Sequence, residues 1–189
     1  MTHDPWQFFG DRITWEGAMR VECETLDAPL DPARQARMEE QDADVLATLN
    51  MLGERGGSEP PEDEAVSAAL ARIDAKLDLL LAMFNRYLLG HVQMPPPRTV
   101  RFNARGIVIP DWKAPEADMA VLVRIYFDSC VGMPLELPGR VAPAPRGAGG
   151  FVAFDELDEG IRQSIEHLVF RQHRRQLAES RREPQPPQQ

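Results

Sequence analysis

The 189-residue chain predicts an α+β protein: a small antiparallel β-barrel interrupted by a long inserted helical hairpin and closed by a C-terminal helix. Three observations carry that reading. Segments with strand-like alternation lie before residue 24 and after residue 96. Between them, Val66, Leu70, Ile73, Leu77, Leu80, Phe84 and Tyr87 follow a strict four-three spacing, the seam of a coiled coil. From Asp158 to about Arg182, Ile161, Ile165, Leu168, Val169 and Leu177 form one helical stripe. The predicted organisation is a barrel with its helix from 1–24 and 96–183, a helical hairpin over 31–90, and a disordered tail over 184–189.

The first strand is predicted over Asp11 to Cys23, where Ile13, Trp15, Met19, Val21 and Cys23 share a face. The aromatic Trp6, Phe8 and Phe9 are expected to cover an edge of the same core. Asp31-Pro32 starts a helix, because Asp caps free amides and Pro is tolerated at the first helical position. That helix is polar until Val45, Leu49 and Leu52 and stops at Gly53. A loop follows through Gly56-Gly57 and Pro60-Pro61. The second helix opens on Glu62-Asp63-Glu64, acidic residues that complement the helix dipole, and ends near Leu89, before Gly90 and Pro95-Pro96-Pro97. Two helices joined by such a loop form a hairpin.

Beyond the prolines, Arg98 to Ile109 and Met119 to Asp128 read as strands, with Gly106 a tight spot in the first. The second is apolar enough to be buried on both faces. Leu135 to Val141 and Gly150 to Phe154 are shorter strands flanking the turn Pro143 to Gly149. Closing these strands into a barrel removes exposed edges.

In the seam, Leu70, Leu77 and Phe84 take the a positions, and Val66, Ile73, Leu80 and Tyr87 the d positions. Leu at a with Ile at d favours three or four strands over two in parallel coils. Leu79, Leu81, Met83, Leu88 and Leu89 add apolar surface outside the seam. The helix spans about 40 Å at 1.5 Å per residue, longer than a small barrel is wide. A protruding apolar seam needs a partner, so a homo-oligomer is expected.

Composition narrows function further. A net charge of -9 disfavours nucleic acid, which needs a Lys/Arg surplus. Arg171, Arg174, Arg175, Arg181 and Arg182 are read as complementing a helix carboxyl end and pairing with Glu179 and Glu183. The two cysteines, Cys23 and Cys130, are expected to be buried free thiols of a reducing compartment. No signal peptide and no membrane span are expected, which assigns the protein to the cytoplasm. His3, His91, His167 and His173 are scattered and match no metal pattern. Gly147 to Gly150 lacks the Lys-Ser/Thr of a phosphate loop, and the acidic run Asp155 to Glu159 is read as helix capping. No catalytic residue, metal or cofactor is expected, and the chain is read as a non-enzyme.

The stretch Arg101-x-Asn103-x-x-Gly106-Ile107 resembles the Asp/Asn-x-Ser-x-x-Gly strand motif of PilZ domains, bacterial proteins in which it lines a cyclic di-GMP site. The resemblance covers the chain outside residues 25–95 and includes the Phe151 to Phe154 strand and the last helix. The inserted heptad helices resemble those of an atypical PilZ branch that assembles as a tetramer, which makes a tetramer the expected state ahead of a dimer. The motif is degenerate here: Arg101 and Asn103 replace its first two positions, and Gly106 alone is kept. Nucleotide-binding members also resemble one another in an Arg-x-x-x-Arg loop before the first strand; this chain has only Arg12 there. The resemblance therefore implies a PilZ-like signalling protein in motility, pilus or virulence control that works through an unknown protein partner, with little or no cyclic di-GMP binding. The alternative is a cyclic di-GMP receptor with a rearranged site built from Arg101, Asn103 or Arg105.

Overall fold

A computed structural model describes residues 4–53, 64–91 and 93–180. The predicted loop around Gly56 to Pro61, the acidic pair Glu62-Asp63, Arg181 to Glu183 and the tail 184–189 lie outside the described residues, as do the side chains of Leu52, Val66 and Glu179. The described elements run α1 (Pro5–Gly10), β1 (Trp15–Thr25), α2 (Pro32–Gly53), α3 (Glu64–His91), β2 (Pro97–Asn103), β3 (Gly106–Ile109), β4 (Ala120–Tyr126), β5 (Leu135–Ala142), β6 (Gly150–Phe154) and α4 (Glu159–Ser180).

The strands close into an antiparallel barrel in the order β1-β2-β3-β6-β5-β4. Pleating sends alternate side chains inward. Val100 and Phe102 of β2 meet Ile107 and Ile109 of β3, and Val121, Val123 and Ile125 of β4 meet Leu135 and Leu137 of β5. In β4, Leu122 is also fully buried, but Arg124 and Tyr126 share its outward face and remain partly exposed. Only part of that strand is therefore covered on both sides.

The segment read as one strand from Arg98 to Ile109 is in fact the hairpin β2–β3, turning at Ala104-Arg105, with Asn103 opposite Gly106. Its uniform β-rich composition hid the turn, because no Asn-Gly or Asp-Gly pair marks it. The N-terminus also departs from expectation. Ile13 precedes β1 and is exposed, while Trp6 to Gly10 belong to a short helix capped by Asp4, whose Oδ1 accepts from Trp6 N at 3.0 Å. Phe9 packs with Val108 and Phe151 on the outer face of β3 and β6, a cluster separate from the barrel core.

Helix α2 begins at Pro32 as predicted, but its packing partner differs from the expected hairpin. It lies against α4 and β5, and Val45, Leu46 and Leu49 enter the barrel core with Ile161, Ile165, Leu168 and Val169. Arg171 of α4 fastens the end of α2 by donating to Leu49 O at 2.9 Å and Asn50 O at 3.2 Å. Leu177, assigned to the same α4 stripe, is exposed. The acidic start of α4 does cap: Asp158 Oδ1 accepts from Gly160 N at 2.8 Å.

Helix α3 packs extensively on no other described element. Its C-terminal part rests on the loop after β4, where Asn85 Nδ2 donates to Ser129 O at 3.2 Å and Leu88 approaches Gly132. Arg20 of β1 ties down the segment after α3 by donating to Pro95 O at 3.0 Å.

Candidate functional site: the exposed helix and the hairpin cleft

Two regions were singled out by sequence, the seam on α3 and the Arg101-Asn103-Gly106 frame. On α3 the side chains of Leu70, Ile73, Leu77, Leu80, Phe84 and Tyr87 are 48–61% exposed. Leu79, Leu81, Met83 and Leu89 are exposed as well, so the apolar surface extends around the helix. Tyr87 stacks on His91 with ring centroids 4.1 Å apart, and His91 Nδ1 lies 2.8 Å from Tyr87 O. Such a surface is far larger than the isolated apolar side chains ordinary on soluble proteins.

The frame residues are used internally. Asn103 is buried; its Nδ2 donates to Phe9 O at 3.0 Å, and its Oδ1 accepts from Arg105 N at 2.8 Å. One amide thus closes the β2–β3 turn and anchors α1. The Arg101 guanidinium sits 5.6 Å from the centre of the Phe9 ring, a cation–π contact. A Cβ on Gly106 would come within 2.4 Å of Val152 O, so only glycine lets β3 approach β6 there. Arg105 sits at the tip of the turn and is exposed.

Two hollows flank that tip. One, of about 210 Å³, lies between the hairpin turn and α4, with an apolar floor of Ile13, Ala104, Val169 and Phe170 and with Arg12, Arg105 and Glu166 around it. Arg12 Nη1 is 3.9 Å from Glu166 Oε1, which partly neutralises it. The other, of about 530 Å³, is polar and is lined by Arg105, Asp155, Glu156, Glu159 and Arg162. There the hydrogen bond from Arg162, joined by one from Gln163, holds the Glu159 carboxyl below its ordinary range. Among the described residues, no group of three or more His, Cys, Asp or Glu is arranged to hold a metal. Cys23 and Cys130 are half-buried and unbridged, and burial pushes the Cys23 thiol up to about 12.

A family model, "Atypical PilZ domain, cyclic di-GMP receptor", matches residues 45–182. The chain belongs to this family. Its fold is also similar to that of a pathogenic protein from Xanthomonas campestris, whose crystal structure is described as a new tetrameric PilZ domain self-assembled via an unusual helical bundle. The TM-score is 0.68 at 23% identity, over 89% of this chain and 91% of the other. No curated protein matches the chain. PilZ domains are receptor and adaptor domains rather than enzymes. In this PilZ chain the hairpin carrying the motif frame is intact, but Asn103 and Arg101 face protein groups.

Sequence reasoning missed the carboxylate network on the outer face of β1, β4 and β5. Arg124 reaches Glu24 Oε2 at 2.7 Å and Glu136 Oε1 at 2.6 Å, and lies 3.8 Å from Glu22 Oε2. Glu136 N donates to Oδ1 of the buried Asp42 at 2.8 Å, linking this network to α2. The alternation of charged residues in β1 was a signal of the surface, but Asp42 sits mid-helix and its burial depends on where α2 packs. The residues around the smaller hollow were also missed as a group, since Ile13, Arg105 and Phe170 are far apart in sequence. Among the described residues, no helix is long and apolar enough to cross a membrane.

Proposed function

We propose that this is a self-assembling PilZ signalling protein of the cytoplasm, in which α3 helices of several copies join along Val66, Leu70, Ile73, Leu77, Leu80, Phe84 and Tyr87. The preferred state is a tetramer. The observation that carries the proposal is the exposure of the α3 seam together with the neighbouring apolar positions. A helix apolar around most of its girth matches a bundle of more than two helices better than a single two-stranded seam. The helical-bundle tetramer described for the Xanthomonas campestris protein is in keeping with this.

The output runs through protein contacts, in control of motility, pili or virulence, with little or no cyclic di-GMP binding. In support, Asn103 uses both ends of its amide internally, Arg101 makes a cation–π contact with Phe9, and Glu166 lies 3.9 Å from Arg12. Ahead of β1 a doubly charged dinucleotide would meet Arg12 alone, where the Arg-x-x-x-Arg loop would supply two guanidiniums. Light scattering tests the assembly: wild type is expected at the tetramer mass, and Ile73→Asp with Leu77→Asp at the mass of one chain. A wild type that stays monomeric at high concentration overturns it. Isothermal titration with cyclic di-GMP tests the second part; micromolar binding lost on changing Arg101 or Arg105 would establish the rearranged receptor instead.

A further inference from the structure

The hollow between the β2–β3 turn and α4 has the size and lining of an anchor pocket for a peptide. Its volume, about 210 Å³, falls below the roughly 300–1,000 Å³ typical of small-molecule sites. It suits one bulky side chain. Ile13 and Phe170, each 47% exposed, face it from opposite sides in sequence, one ahead of β1 and the other in the middle of α4. Two large apolar groups left half in water beside one hollow form an exposed apolar patch of the kind that marks an interaction site. Arg174 stands 6.0 Å over the Phe170 ring, and Arg105 projects from the turn. Arg12 is offset by Glu166; Arg105, which also borders Asp155, Glu156 and Glu159 across the turn, and Arg174 leave the rim of this hollow basic on a chain whose net charge is -9.

We infer that this hollow docks a short segment of a partner protein, carrying one large apolar side chain beside one or more carboxylates. The apolar side chain fills the floor between Val169 and Phe170, and a carboxylate meets the Arg105 guanidinium. Arg174 lies on the next turn of α4 and extends the basic edge for a second acidic residue. The inference rests on the proposal that the output runs through protein contacts, and it names the chemistry of the contact.

The test uses the full chain and two fluorescein-labelled peptides, Asp-Glu-Phe-Leu-Asp-Glu and Lys-Arg-Phe-Leu-Lys-Arg, followed by fluorescence anisotropy. The acidic peptide is expected to bind, and the basic one not to. Phe170→Ser and Arg105→Glu, both at exposed positions, are each expected to weaken binding by about tenfold or more. Failure of the acidic peptide to bind overturns the inference, and so does equal binding of the two peptides or unchanged binding by Phe170→Ser. Displacement of the peptide by micromolar cyclic di-GMP would also overturn it, by assigning the hollow to the nucleotide. Light scattering on the same samples separates the two readings. A chain that assembles but binds no peptide removes the docking site alone; a monomer that binds the acidic peptide removes the assembly alone.

Discussion

In the barrel, Phe102, Ile125 and Leu137 have no exposed surface, whereas on α3 Leu70, Ile73 and Leu77 are about half exposed, although both sets are large apolar residues. The barrel satisfies itself. Its strands pair on both edges, and α2 and α4 add Leu46 and Ile165 to its core. Helix α3 satisfies its backbone within itself but leaves Leu70, Ile73, Leu77, Leu80, Phe84 and Tyr87 exposed. A strand needs neighbours to complete its hydrogen bonds and so finds its core partners in the same act, while a helix can form first and look elsewhere for burial. Under the proposed assembly, the stability of the barrel is a property of one chain, and that of α3 a property of concentration.

The largest expected effect breaks that division at α3. Ile73→Asp with Leu77→Asp should abolish assembly while leaving the near-ultraviolet circular dichroism of the barrel unchanged. Loss of both signals together would mean that the barrel cannot stand without the bundle. Next, Phe102→Ala should cost about 3–5 kcal/mol by opening a cavity in the barrel. Chemical denaturation followed by tryptophan fluorescence should show this loss to be the same at all protein concentrations.

A smaller effect tests how the motif frame is used. Asn103→Ala leaves Phe9 O and Arg105 N without their side-chain partner, at a cost of about 1–3 kcal/mol. Limited proteolysis should then cut ahead of Trp15 faster than in wild type. An unchanged cleavage rate would mean that Asn103 does not hold α1.

The smallest concerns Asp42. Burial raises its carboxyl from 3.8 to about 7, against the hydrogen bond from Glu136 N, with Glu136 and Glu39 adding repulsion. Its folded value lies above the unfolded one, so the folded state holds the proton more tightly. Its contribution is full below about pH 4 and is lost as pH rises to about 7. Stability measured over that range should fall less steeply in Asp42→Asn; an identical slope would show that other groups set it.

The strands were legible because alternation reports the pleat directly: Met19 and Val21 are buried and Glu22 exposed, as their spacing requires. Helix α3 was legible for a similar reason, and its end before the triple proline was marked by residue chemistry. Helix α1 carried the same Asp-Pro signal in Asp4-Pro5 that correctly located α2, but its six residues are too few for periodicity to register. The cleft at the hairpin was not legible as a group, because Arg12, Arg105 and Glu166 meet only after the barrel closes and α4 crosses it.

By itself, the sequence determined the α+β class, most strand and helix positions, and an apolar seam too long for a small barrel to cover. Each follows from local spacing, which repeats with the geometry of one element. Tertiary structure decided that α2 packs on α4 and β5, that Asn103 braces a turn and α1, and which residues face the hollow. Those outcomes depend on which surfaces meet, and competition for buried area among distant segments decides that rather than any one segment's pattern.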